Sequence, residues 1–434
     1  MVVAWIARSE NRQFRHEALT MTIRHRRYFG LIFAAFVLAF ALKLDSQEKP
    51  RHLRVLFIGN SYTYFNNLPE IFRKLAQAGN QGDVGIGMIA PGGWRLKDHW
   101  EKGDALEVLH QSKWNIVVLQ EQSTLGVNYY VDGRIRIAGD QIFRPYAEQW
   151  ISEVRSAGAT PILYLTWARE ATPEDQAALN YVYMRAAKDF RSQVAPVGIA
   201  WERLRKEQPS LELFYADGSH PSPAGSYVAA CTFYAAIFHQ SPVGLPGTIS
   251  GIPVNLQTAK AESSINAVLV DLPPELAHAI QQAAWEAWQE IDKAGGHLNL
   301  APVPVPALPP LMGGDPLAAA ELEGTWSGDL KFYPPPFLPT QMELTLHREG
   351  NRWKAHLALM FHSSEQPDQS LDLSNCRVDT QQLSFTDPKA PQKLSIRFRG
   401  VKGGPGELRG QAEARSATPD STVRLLGTWQ LRKK

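Results

Sequence analysis

Cysteine is almost missing from this chain: Cys231 and Cys376 are the only two in 434 residues. That excludes a disulfide framework and any cysteine-built metal cluster. A single long-range bridge is one reading, and two small buried apolar residues is the better one. Net charge is missing as well. The 45 Lys+Arg against 43 Asp+Glu leave +2, so there is no global field to gather nucleic acid or acidic ligands, and no nucleic-acid partner is expected. No P-loop, dinucleotide fingerprint or H-E-x-x-H spacing occurs, and His99, His110, His239 and His278 are scattered. Neither a nucleotide cofactor nor a metal is therefore expected. Each of these histidines reads as a surface or satisfied core residue. What remains, at 44% hydrophobic and 20% charged residues, is ordinary globular material with length for two cores.

One long apolar run is present, residues 28–41, preceded by Arg24, Arg26 and Arg27 and ending in Ala39-Phe40-Ala41. Basic flank, apolar centre and small-x-small end are the marks of a secretory signal. The run falls short of the roughly 20 residues that span a bilayer, so export to a periplasm or the medium is the expectation and a membrane-anchored form the alternative. Met21 lies just before the basic cluster, which makes residues 1–20 read as an upstream extension. Residues 1–50 are set aside as extension plus targeting segment.

From residue 53 apolar strands alternate with amphipathic helices. Strands are expected at residues 55–58, 84–89, 115–119, 162–166 and 194–199, and the alternation predicts a doubly wound parallel sheet covered on both faces. After the first strand comes Gly59-Asn60-Ser61-Tyr62-Thr63, which presents Ser61 at the strand's carboxyl end, where open α/β sheets place their chemistry. A helix follows closely, with Asn67 as expected cap, Pro69 in the first turn, Ile71, Phe72, Leu75 and Ala76 as its apolar stripe, and Gly79 as its end. Further helices are expected at residues 139–157 and 226–238.

The loops at the other strand ends carry the remaining chemistry. After the second strand stand Ala90-Pro91-Gly92-Gly93-Trp94, two glycines that let backbone amides approach a ligand. After the third stand Gln120-Glu121-Gln122-Ser123. Farther on, Asp217-Gly218-Ser219-His220-Pro221-Ser222 puts a carboxylate and an imidazole three residues apart on a Gly/Pro turn. Such a carboxylate fixes one ring nitrogen while the other takes a proton from a serine.

Taken in order, these four stretches resemble the SGNH hydrolases, the superfamily of GDSL esterases and lipases, over about residues 54–245. The blocks are GNSYT at residues 59–63, GG at 92–93, LQEQS at 119–123 and DGSHPS at 217–222. They are most similar to a little-characterised bacterial branch. The resemblance implies a flavodoxin-like five-stranded sheet of the SGNH type, a serine ester hydrolase, and no cofactor. It implies Ser61 as nucleophile, His220 as general base and then acid, and Asp217 as orienter. The oxyanion hole would take the amides of Ser61 and Gly93, with Gly92 as alternative, and the side chain of Gln122, with Gln120 as alternative. Two positions depart from the general pattern: Asn60 replaces the Asp before the serine, and Gln122 replaces the usual Asn. An α/β-hydrolase is excluded because its G-x-S-x-G would need glycine at Thr63.

Around the site Tyr62, Trp94 and Trp167 are expected as a substrate rim, with Tyr64, Tyr129 and Tyr130 nearby, and residues 126–136 as a lid or rim loop. The aromatics point to a carbohydrate or small ester from which an acyl group, acetyl for choice, is removed. A lipase or thioesterase for longer acyl chains is the alternative enzyme, and a glycan-binding protein that keeps the fold without catalysis is the alternative outside enzymes.

The hydrolase domain is expected over residues 51–295, with one or two helices at 273–293. The proline-rich stretch 301–310 lies in a linker spanning 296–318. From residue 319 short runs alternate with period two between Gly-Asn and Pro-Gly turns. Seven or eight antiparallel strands closing into a small barrel or sandwich are expected there, with Trp326 and Trp429 meeting where the ends join. This domain is expected to bind a glycan or another protein.

Overall fold

A computed structural model of the chain describes residues 52–262, 264–331, 339–361, 368–379, 381–387, 394–416 and 423–434. The expected targeting segment at residues 24–41 lies outside them. Among the described residues no helix is long and apolar enough to cross a membrane.

The first seven strands are β1 (His52–Ile58), β2 (Asp83–Ile89), β3 (Ile116–Leu119), β4 (Asn128–Val131), β5 (Arg134–Arg136), β6 (Thr160–Tyr164) and β7 (Gln193–Ala195). Five of them form one parallel sheet in the order β2-β1-β3-β6-β7. Counting these alone the order is 2-1-3-4-5, the flavodoxin-like doubly wound arrangement. Val55, Leu56, Phe57 and Ile58 are all buried, as a central parallel strand covered on both faces requires. Helices Leu68–Ala78, Phe143–Ser156, Gln176–Phe190, Val197–Glu207 and Pro223–Phe238 supply those covers. Residues 194–199 do not form one strand. Pro196 has no N–H to continue the ladder, and the chain turns directly into the helix Val197–Glu207. Asn67 does not cap its helix either: its backbone is left-handed, at φ 51°, and its side chain reaches away to donate to the Ile252 carbonyl at 2.6 Å. Both cysteines are free thiols, Cys231 fully buried in the helix Pro223–Phe238 and Cys376 partly buried.

Four short strands follow, β8 (Thr248–Gly251), β9 (Val254–Asn255), β10 (Lys260–Ala261) and β11 (Ala267–Asp271), paired β8 with β11 and β9 with β10. Then comes a single helix, Pro274–Lys293.

The carboxyl-terminal strands are β12 (Gly324–Lys331), β13 (Pro339–Glu349), β14 (Arg352–Phe361), β15 (Gln369–Val378), β16 (Leu383–Asp387), β17 (Leu394–Gly404), β18 (Glu407–Ser416) and β19 (Val423–Lys433). Each pairs antiparallel with the next, and β12 returns to β19, so the sheet closes on itself. Closure removes the exposed edges that a free sheet would offer to other chains. The interior is packed with apolar side chains, among them Leu344, Leu357, Phe398, Leu408, Trp326 and Trp429. Both tryptophans lie in this one cluster, at the β12–β19 seam.

Residues 126–136, expected as a loop, are not one. They form the β4–β5 hairpin, and β4 runs parallel to residues 423–426 of β19. The physical reason is an edge. Strand β19 overshoots β12, which covers its residues 428–433, and the hairpin covers residues 423–426. Tyr129 is fully buried there and donates its hydroxyl to the Pro306 carbonyl, so the proline-rich stretch is held against the hairpin.

Candidate active site

The turn after β1 is shaped by what cannot fit. A Cβ on Gly59 would lie 2.4 Å from Thr63 Oγ1 and 2.5 Å from Gln120 Oε1, so a side chain there would force apart two groups that are hydrogen-bonded to each other. Asn60 then makes three contacts at once. Its N–H donates to Gln120 Oε1 at 2.8 Å, its Oδ1 accepts from Tyr62 N at 3.1 Å, and its Nδ2 donates to the Trp94 carbonyl at 2.8 Å. The last contact ties the Gly92-Gly93 loop to the residue before Ser61, and an aspartate could not make it, since a carboxylate has no N–H. Beneath the turn the buried His99 places Nε2 2.6 Å from the Gly59 carbonyl, and burial holds its pKa below the ordinary value. The neutral ring donates from Nε2, which makes His99 a core buttress.

Ser61, 8% exposed, opens the short helix Ser61–Tyr64. Its Oγ lies 2.8 Å from His220 Nε2, and His220 Nδ1 is hydrogen-bonded to Asp217 Oδ2. The other Asp217 oxygen accepts from the backbone N–H groups of Ser219 and His220, each at 2.9 Å. Partial burial pushes the Asp217 pKa up, but these hydrogen bonds from the ring and the backbone outweigh it and hold the carboxyl below its usual value. The imidazole is fixed by packing as well. Phe65 stacks on one face, centroids 4.2 Å apart, and Tyr62 meets it edge-on at 5.6 Å.

Tyr62 and Trp167 do not form a rim. Tyr62 is 3% exposed and Trp167 fully buried, stacked on each other at 4.6 Å, with Trp201 stacked on Trp167 at 3.9 Å. The column holds the histidine loop from below: Trp167 Nε1 donates to the Ser219 carbonyl at 3.0 Å, and Tyr62 Oη lies 2.8 Å from Ser219 Oγ. Trp94 alone of the three keeps part of its surface in solvent, and it meets His99 edge-on. The exposed aromatic beside the site is Tyr215, 52% exposed and packed edge-on against Phe65.

The two candidate amides of the third loop differ in what binds them. Gln120 is fully buried and committed: Oε1 accepts from Asn60 N and Thr63 Oγ1, and Nε2 donates to the Glu121 carbonyl. Gln122 has its Oε1 held by Thr124 N at 2.7 Å and Thr124 Oγ1 at 2.6 Å, while Nε2 reaches only Ser123 Oγ at 3.5 Å. Its carbonyl end is therefore anchored and its donor end nearly unspent. Gly93 has a left-handed φ of 74°, and a Cβ there would meet nothing within 4 Å, whereas at Gly92 it would touch the Tyr64 hydroxyl.

Glu121 escapes a reading of residue types alone, because nothing in the sequence shows it fully buried. Its Oε1 accepts from Gln122 N at 2.6 Å and its Oε2 from Leu96 N at 3.3 Å, so one carboxyl stitches the glycine loop to the glutamine loop. Burial pushes its pKa up to about 8, against those two hydrogen bonds and the charge of Arg95. The contact between Arg169 and Ser123 is equally silent in the sequence: Arg169 Nη2 donates to Ser123 Oγ at 3.0 Å. Among the described residues no group of three or more His, Cys, Asp or Glu side chains is placed to hold a metal.

No family model matches the chain, and no curated protein does. Among solved structures it is similar to a DUF4886 family protein from Bacteroides uniformis, at 18% identity over 56% of this chain and 96% of that one, TM-score 0.42. It is also similar to an acetylxylan esterase from Geobacillus stearothermophilus, at 18% identity over 43% of this chain and 94% of that one, TM-score 0.34. A lipase/acylhydrolase from Enterococcus faecalis matches at 17% identity over 43% of this chain and 95% of that one, TM-score 0.33.

Proposed function

We propose that the chain is a serine ester hydrolase. The observation that carries this reading is Ser61 Oγ at 2.8 Å from His220 Nε2, with Asp217 on the opposite ring nitrogen, at the carboxyl edge of a parallel sheet. Ser61 Oγ attacks the ester carbonyl carbon while its proton passes to His220 Nε2. The carbonyl oxygen becomes an oxyanion that the amides of Ser61 and Gly93 and the Nε2 of Gln122 receive. The tetrahedral adduct collapses, the C–O bond to the alcohol breaks, and His220 returns the proton to the leaving oxygen. Water, deprotonated by His220, then releases the acid and restores Ser61. Asp217, held ionised, keeps Nδ1 protonated throughout.

For substrate we propose an acetylated carbohydrate, with Tyr215 and Trp94 as the partly exposed aromatics for a sugar face. We also propose export through residues 24–41, which sequencing the mature amino terminus checks. The barrel's role is proposed as glycan or protein binding.

A fluorophosphonate should label Ser61 and leave Ser61→Ala unlabelled. His220→Ala should lower kcat on p-nitrophenyl acetate by about a thousandfold or more. Equal slow hydrolysis by wild type and His220→Ala would refute the catalytic reading. Gln122→Leu should cost about a hundredfold in kcat with little change in KM, as removal of an oxyanion donor does.

A further inference from the structure

Arg169 is a half-buried guanidinium at this sheet edge that the hydrolytic mechanism leaves without a task. It follows β6 by five residues, on the loop whose next residue, Glu170, donates its N–H to the Gly218 carbonyl at 2.9 Å. Gly218 lies between Asp217 and His220, so this loop is bonded directly to the histidine turn. From the other side, Arg169 Nη2 donates to Ser123 Oγ, the residue after Gln122. Between the two lies the buried Tyr62 hydroxyl, on which the Arg169 charge, Ser219 and Ser123 all bear. Arg169 thus bridges the proposed oxyanion loop and the histidine loop.

Its own hydrogen bonding is incomplete. Nε is buried and has no protein partner, the bond to Ser123 is to a neutral hydroxyl, and among the described residues Arg169 forms no ion pair. Elsewhere in the same domain arginines of similar burial are matched: Arg136 to Asp175 and Arg95 to Asp98, each through two guanidinium nitrogens. A guanidinium withdrawn from water without a carboxylate is costly unless an anion completes it, and its planar fork suits a two-oxygen acceptor.

We propose that Arg169, with Ser123, is a subsite for an anionic group carried by the ester substrate, a carboxylate or a phosphate. The inference deepens the hydrolase reading and rests on it. It narrows the substrate class from an acetylated carbohydrate to one bearing an acid, such as an acetylated uronic acid or sugar phosphate. A structural role alone, bracing Ser123, would predict no preference between charged and neutral ligands.

The test separates binding from turnover by using full-length Ser61→Ala in calorimetric titrations. The ligands are an O-acetylated methyl uronide, the same acetylated sugar with a neutral CH2OH, and the corresponding acetylated 6-phosphate. At least one anionic ligand should bind about tenfold or more tighter than the neutral one, with a preference that weakens as salt is added. Adding Arg169→Met should bring the ratio of anionic to neutral affinity close to one, and Arg169→Lys should restore part of it. The carboxylate and phosphate arms show which acid the fork prefers. Equal affinity for all three ligands in Ser61→Ala, including no binding of any, would overturn the proposal. So would a ratio that Arg169→Met leaves unchanged. An intact preference in a protein that hydrolyses none of these esters with Ser61 present would instead refute the hydrolase reading and leave the subsite standing.

Discussion

Glu121 is the residue whose environment differs most from its sequence appearance. A carboxyl with no surface, holding the N–H groups of Gln122 and Leu96, has its pKa pushed up from 4.5 to about 8 by burial. The folded state therefore binds a proton that the unfolded state has released over that range. The stabilisation this gives is complete below about pH 4.5 and is withdrawn as pH rises through about 8. Glu121→Gln removes the titration while keeping an acceptor oxygen. Melting temperatures of the two proteins should converge or cross between pH 5 and pH 9, wild type losing stability relative to the variant as pH rises. Parallel curves would show that Glu121 does not titrate in this window. Asn60 makes the same point in a neutral group. Asn60→Asp deletes the donor to the Trp94 carbonyl and sets a carboxylate against it, at a cost of about 1–3 kcal/mol by denaturant unfolding.

At the scale of elements, the column Tyr62–Trp167–Trp201 decides where the histidine loop stands. Trp167 contributes two stacked faces and a hydrogen bond to the Ser219 carbonyl. Trp167→Ala should therefore destabilise the fold by about 3–5 kcal/mol, and Trp167→Phe by clearly less. A Trp167→Ala protein with unchanged stability would remove the column from the account. These elements also show what could be read in advance and what could not. The runs VLFI and IVVL announce strands because parallel strands buried on both faces must be continuously apolar, and the polar loops follow from their positions at the strand ends. The helix at Val197 was hidden because Val-Gly-Ile-Ala suits strand and buried helix alike, and only Pro196 marks the change. The burial of Tyr62 and Trp167 is illegible for a related reason: an aromatic at a strand end can face solvent or fill the layer beneath, and residue type does not choose between them. The asparagine at position 60 could be seen, but its Trp94 contact depends on a loop more than thirty positions away.

The least legible feature belongs to the whole molecule. Nothing in NYYVDGRIR announces a partner strand nearly three hundred positions later, because pairing across such a separation leaves no local period. Yet β4 and β19 are joined by more than their ladder. Asp132 Oδ1 accepts from both Thr428 N and Thr428 Oγ1 at 2.8 Å, and Asp132 N donates to the Leu426 carbonyl at 2.8 Å. Arg136 continues the connection inward through Asp175, which lies ahead of the helix Gln176–Phe190. Among the described residues the barrel is thus attached to the parallel-sheet body through a hairpin whose side chains are bonded in both directions. If that attachment is a single cooperative unit, weakening it at one end must loosen the other. Asp132→Ala removes two accepted hydrogen bonds, a loss of about 1–3 kcal/mol at that junction. Hydrogen exchange should then quicken together in residues 126–136 and 423–429 while β1 stays protected. Faster exchange confined to the hairpin would mean that β19 is held by its barrel neighbours alone and that the hairpin only rests on it.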